Sequence, residues 1–337
     1  MRLAFALAAL NLLLLTDVAA TKEFNISHQW PGETDARDRA VRIFAQTVTS
    51  RIPDATFRIY PQLSFKIRAE EQFDALRSGR LDMTVYPVRY AVTKIPEFSL
   101  AVLPGLYPSL AIVHGLKNSK LLEYLQGLAD ENGVHIVAWW WAPGGFATRN
   151  REIAGPDTIK GLKLRGGERL FDTMLKKAGA TPVEMSSNDI YEAMRSGKVD
   201  GAATSYETFV STKIFEHTRY FTAGSPGLWM TLDALMISKS DWDSLSDDER
   251  DAFEAAAEAS EDYFMATQLE AEKNFVDVFT KAGAKYRRFT WNDYLAWLHL
   301  AQATAWAEYL SISPAAETML LDTLQTILSN RENASDK

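Results

Sequence analysis

Apolar positions recur along this chain with two alternating periods. Between Thr34 and Arg51, Ala40, Val41, Phe44, Ala45 and Val48 return every three or four residues, the spacing of one buried helix face. Ahead of them "KEFNISHQW" alternates like a strand running into a loop that carries His28, Gln29, Trp30 and the turn pair Pro31-Gly32. "TFRIYP" then reads as a strand, "AEEQFDALRSG" as a helix closed by Gly79, and "LDMTVYP" as another strand. The same order returns downstream, with "GLKLRG", "TPVEM" and "VDGAATS" as strands and "ERLFDTMLKKAG" and "SSNDIYEAMRSG" as the helices between them.

One corner is written twice. "FDALRSGRLDMTVYP" and "YEAMRSGKVDGAATSY" share aromatic, acid, Ala, apolar, Arg-Ser-Gly, basic, aliphatic, Asp, and each runs into a strand. Gly79 and Gly197 sit where a helix stops, a place that favours positive φ. The pattern predicts an α/β protein of two α/β lobes joined by crossing strands and a long helix. "HIVAWWWAPGGFATRN" supplies one crossing and "LWMTLDALMISK" the return. The expected division is a leader at 1–20, lobe I at 21–143 plus roughly 236–262, and lobe II at 144–235. A long helix at 246–283, opened by the capping box Ser246 and Glu249, spans both lobes, and packing helices fill 284–330.

Composition narrows the function without choosing it. The 337 residues are 47% hydrophobic and 24% charged, with a net charge of −8 spread in mixed signs, so no basic face is offered to nucleic acid. "MRLAFALAALNLLLLTDVAA" has a short basic start, an apolar run and a small-residue site after Ala20, which predicts export by a cleavable signal peptide to the periplasm. The chain has no Cys, which excludes disulfides, thiol catalysis and Cys-ligated zinc.

Enzyme signatures are absent: there is no Gly-x-Ser-x-Gly, His-Glu-x-x-His, Walker loop or Gly-x-Gly-x-x-Gly, and the five histidines lack metal-ligand spacing. No cofactor or metal is expected. What stands out is "LKLRGGERL", where Arg165 ends a strand just before a helix. Ligands of open α/β sheets bind at the carboxyl ends of strands, so this guanidinium would face the cleft and take a carboxylate through paired charge-assisted hydrogen bonds. An internal acid could hold it equally well, and the residues alone leave both readings open. Trp30, Tyr86, Tyr90, Trp140, Trp141, Tyr206 and Trp229 fall near strand ends, which suggests a ring-bearing acid stacked on an aromatic face. At most one or two of Trp139, Trp140 and Trp141 can face it, since a strand alternates sides.

"IKGLKLRGG", "MSSNDIYEAMRSGKVDG", "HQWPGETDARDRAVRIFAQTV" and "FDALRSGRLDMTVYPVRYA" resemble the DctP-type solute-binding proteins of tripartite ATP-independent periplasmic (TRAP) transporters over most of the chain after Lys22. The resemblance implies a periplasmic binding protein-like fold (class II type), an organic acid held between the lobes, small and large membrane subunits as partners, and a monomeric receptor that is not an enzyme. It puts the family's cleft arginine on Arg165. Two places depart from the pattern. Arg149 in "GGFATRNREI" is the nearest match to a second arginine, and "TSYETF" puts Ser205 and Tyr206 where a loop with Asn is common. The expected ligand-binding set is therefore Arg165, Arg149, His28, Gln29, Trp30, Tyr86, Trp141, Ser205, Tyr206 and Trp229. A binding protein of an ATP-driven importer, or an enzyme with His28 as base and Arg165 as anchor, is the alternative.

Overall fold

The computed structural model describes residues 22–335, so the leader expected over 1–20 lies outside the described residues. The elements are β1 (Lys22–Ser27), α1 (Ala36–Arg51), β2 (Ala55–Tyr60), α2 (Gln72–Arg77), β3 (Met83–Pro87), α3 (Leu110–His114) and α4 (Lys120–Glu131). They continue with β4 (Val134–Thr148), β5 (Lys163–Arg165), α5 (Arg169–Lys177), β6 (Thr181–Pro182), α6 (Ile190–Ser196), β7 (Gly201–Ser205), α7 (Tyr206–Ser211), β8 (Tyr220–Ala223) and β9 (Trp229–Ser238). The last are α8 (Lys239–Asp243), α9 (Asp247–Lys281), β10 (Lys285–Arg288), α10 (Trp291–Ala301), α11 (Ala307–Tyr309) and α12 (Pro314–Ser335). Short 3-10 turns cover Val88–Ala91 and Pro96–Val102, and a π-helical turn at Gln302–Trp306 links α10 to α11.

All strands join one sheet, in the order β2-β1-β3-β9-β4-β7-β5-β6, with β8 on β4 and β10 on β8. β1, β2 and β3 run parallel in one lobe, and β5, β6 and β7 run parallel in the other. Between them β4 and β9 pass antiparallel to each other and to their neighbours. The 15-residue β4 gives its first part to β9 alone and its last five residues, Gly144–Thr148, to β7. No helix among the described residues is long and apolar enough to cross a membrane.

α9 is the second tie. Phe253, Ala256, Ser260, Phe264, Gln268, Ala271, Phe275 and Phe279 form one buried stripe along its 35 residues, about 50 Å at 1.5 Å per residue. Phe253 packs on Phe24 and Phe44 in the first lobe, Phe264 on Trp140, and Phe275 on Phe209 and Phe221 in the second. The Ser246–Glu249 capping box starts this helix, and Gly283 at φ +87° follows its end.

The duplicated corner has one use in both lobes. Gly79 and Gly197 adopt φ +69° and +77°. Three residues on, the Asp82 carboxylate accepts the backbone N–H of Asn25 on β1 at 2.7 Å, and the Asp200 carboxylate accepts that of Lys163 on β5 at 2.8 Å. Their carbonyls accept N–H groups from Ser238, at the end of β9, and Arg149, just past β4. Each Asp thus ties a neighbouring parallel strand to one end of a crossing strand.

Three expectations are corrected. α1 starts at Ala36 rather than Thr34, because the Asp35 side chain caps it by accepting from Arg37 N. "TPVEM" contributes only Thr181–Pro182 as a strand, at an edge where Pro182 has no N–H to donate. The segment expected to be helical from 284 opens with β10, which pairs β8 parallel before α10 begins.

Candidate ligand-binding cleft

The carboxyl ends of β1, β3, β5 and β7 face one another across the gap between the lobes. Arg165, last residue of β5, is completely buried there. Its Nε donates to Met185 O at 3.2 Å and its Nη1 to Ala203 O at 2.9 Å, while Nη2 is buried without an acceptor at good geometry. No carboxylate forms an ion pair with it among the described residues. Burial pulls its pKa down to about 10, against the supporting fields of Tyr90 and Asp172, and nearby Arg89 lowers it further. An unpaired buried cation costs several kcal/mol, on the order of 3–5.

The facing lobe presents the turn after β3. Arg89 is buried, donates from Nη1 to Thr231 Oγ1 at 2.7 Å, lies 3.5 Å from Asp233 Oδ1, and packs over the rings of Tyr90 and Trp229. Tyr90 Oη accepts from Ser187 N at 2.8 Å and lies within 3.5 Å of Gln29 Nε2, which also donates to Ser187 Oγ at 3.1 Å. Beside these groups lies a cavity of about 690 Å³ walled by Glu70, Arg89, Tyr90, Lys94, Gly167, Arg169, Asp172 and Met185, among others. Burial pushes Asp172 up to about 7; Arg165 opposes the shift and Glu168 adds to it. Glu168 caps α5 by accepting from Leu170 N and Phe171 N, and takes Ser99 Oγ from the other lobe at 2.8 Å.

A second set of contacts closes the gap beside α1. Arg37 donates to both Asp35 oxygens at 2.8 Å, to Asp233 at 3.0 Å and to Thr208 of lobe II at 3.0 Å. Ser211 donates to Asp35, and Glu207 accepts the N–H of Ala36.

The expected residues divide between these places. Arg165 and Gln29 come from opposite lobes to the surroundings of Tyr90, and Trp229 lies beside Arg165, donating to Gly166 O at 3.3 Å. Ser205 caps α7 and lies 3.5 Å from Arg37, in the contacts beside α1. Tyr86 packs edge-on behind Tyr90. His28 is fully buried with its Nε2 3.0 Å from the equally buried Asp38, away from Arg165. Trp30 stacks on the Arg37 guanidinium at 4.0 Å. Trp141 turns to the opposite side and packs on Tyr107, while Trp140 packs on Phe264. Tyr206 stacks on Phe275 and accepts from Gly224 N. Arg149 lies at the other end of lobe II, against Gly197 and past the last residue of β4, because the antiparallel register places Gly144 and not Thr148 beside Ser205.

Sequence reasoning missed Arg89, Ser187, Thr231 and Asp233. The rule that found Arg165 would have found Arg89, a basic residue two positions beyond a parallel strand. Nothing local marks Ser187 or Asp233, whose roles depend on the other lobe.

A two-lobed sheet with a buried arginine in the seam defines a solute receptor. Residues 26–311 match the model for the bacterial extracellular solute-binding protein family 7, DctP, and the chain belongs to that family. It is 34% identical over 327 residues to a solute-binding protein of Albidiferax ferrireducens, covering 95% of this chain and 96% of the relative. A TRAP periplasmic solute-binding protein from Rhodoferax ferrireducens, solved with malonate, is 34% identical and superposes with a TM-score of 0.88 over 91% of this chain and 99% of that one. One from Chromohalobacter salexigens, solved with D-glucuronate, shares the fold at 19% identity, with a TM-score of 0.83 over 90% of this chain and 99% of that one. The protein is therefore an extracellular solute-binding protein of this family, similar to the periplasmic receptors of TRAP transporters.

Proposed function

We propose that the acid is held at Arg165, between the lobes, and is handed to small and large TRAP membrane subunits by a monomeric receptor exported through its leader. The observation that carries this reading is the Arg165 guanidinium: fully buried, braced by two carbonyls, and in no ion pair with an acid among the described residues. A ligand carboxylate supplies the missing countercharge, with the Ser187 N–H, Gln29 and Arg89 in reach of the same point. Donors come from both lobes, so the ligand gains most when the lobes are together, which is the condition for a ligand to drive closure.

The cavity volume suits a ring-bearing acid. Its charged walls favour a hydroxylated sugar acid such as a uronate or aldonate over an aryl carboxylate, because most of the expected stacking aromatics are committed elsewhere. Arg89 supports a second reading, a small dicarboxylate with one group on each guanidinium, and malonate in the Rhodoferax relative agrees with it. Calorimetric titration with uronates, aldonates, aryl carboxylates and short dicarboxylates decides between them. Binding of neutral sugars with no response to any acid would refute the proposal.

A further inference from the structure

Arg165 does not itself reach the cavity wall. Gly167, Met185 and Tyr90 stand between them: the Met185 carbonyl accepts from its Nε, a Cβ on Gly167 would strike its guanidinium, and Tyr90 of the opposite lobe is near enough for its field to support the charge. Of the three, only Tyr90 offers a side chain that can leave without moving the lobe II backbone, and it lines the cavity into which it could turn.

The surroundings of the Tyr90 hydroxyl are those of an anion. Its oxygen receives Ser187 N–H at 2.8 Å, lies 3.4 Å from Arg89 Nη2 and 3.5 Å from Gln29 Nε2, and faces Arg165. Among the described residues its own proton has one outlet, Ser187 Oγ at 3.4 Å. Two guanidiniums and a backbone N–H are more donors than a phenol needs, and they match what a carboxylate oxygen takes. Burial alone would raise this phenol; Arg89, Arg165 and the Ser187 contacts outweigh it and lower the pKa below the ordinary tyrosine value.

We propose that Tyr90 Oη is a built-in stand-in for the ligand carboxylate, occupying the point where donors from both lobes converge, and that the ligand binds by displacing it. The inference rests on the carboxylate reading above. An internal competitor lowers apparent affinity by the fraction of molecules in which it has vacated the site. It thereby sets a threshold: an acid must outdo a phenol already in place, which weak or singly contacting acids cannot.

The test compares wild type with Tyr90→Phe, by calorimetry over the acid panel and by thermal melting without ligand. The stand-in predicts two opposite changes in one variant. Ligand-free Tyr90→Phe melts lower, because two buried guanidiniums lose an oxygen, yet it binds the acid about tenfold more tightly, the weight of one hydrogen bond to charged groups. Weaker or unchanged binding by Tyr90→Phe, with wild type still binding, overturns the stand-in and leaves the carboxylate reading intact. Binding by Tyr90→Phe to an acid that wild type ignores supports both. If neither protein binds any acid while Arg165→Met behaves the same, the carboxylate reading fails and the stand-in falls with it.

Discussion

Arg37 and Arg165 are buried alike, at 1% and 0% exposure, and they stand on the same gap between the lobes. Arg37 has two carboxylates, a threonine hydroxyl and an aromatic face, and although burial opposes its charge, Asp35 and Asp233 raise its pKa above the ordinary value. Arg165 has two carbonyls and only the field of a nearby phenol, and its pKa falls to about 10. Burial is the same and the partners differ, so the partners separate a cation that holds the fold from one that awaits something.

The comparison breaks most severely at Arg37. Arg37→Met strands two buried carboxylates and should cost about 3–5 kcal/mol of unfolding free energy, read from urea denaturation. A loss below 1 kcal/mol would mean that the ion cluster is not what secures this seam. Arg165→Met should behave oppositely: ligand binding falls by about 2–5 kcal/mol while stability without ligand is unchanged or higher. Equal loss of stability in both variants would erase the distinction.

Smaller changes sharpen it. Gly167 sits at φ +92°, and an added methyl would press on the Arg165 guanidinium. Gly167→Ala should weaken binding by about 1–3 kcal/mol through backbone strain and a displaced cation, measured by calorimetry. The smallest effect concerns Asp172, whose carboxyl is pushed by burial to about 7 from 3.8. The folded state holds this proton more tightly than the unfolded chain. Its contribution to stability is therefore complete below about pH 4 and is lost as pH rises through 7. Asp172→Asn should flatten that decline and gain about 1–2 kcal/mol at pH 8; an unchanged pH profile would show that the group is better solvated than its burial implies.

The legible parts of this molecule are those whose cause lies within a few residues. α9 was readable from Ser246 to Gly283 because its cap, its stripe and its stop are local. The paired corners were readable because each needs a glycine at positive φ and an Asp three residues later. Arg165 was readable from its place at a strand end. The aromatics were not: a side chain near a strand end can face the cleft or the core, and the register that sent Trp141 toward Tyr107 is fixed by β9, almost a hundred residues away. Arg149 failed for a similar reason, since similarity in sequence did not say which end of β4 met β7. The stretch from 88 to 133 offered short turns rather than one clear period, and it hid Arg89.

The unbroken sheet constrains how such a receptor can open. Its two halves share β4, β9 and the stiff rod of α9, so among the described residues no loose tether sets the length of the swing. Parting the jaws must shear or twist strands that stay bonded throughout, so the swing is a deformation of the sheet itself. Amplitude and spring constant are then properties of the same ten-stranded ribbon, and neither can evolve without the other.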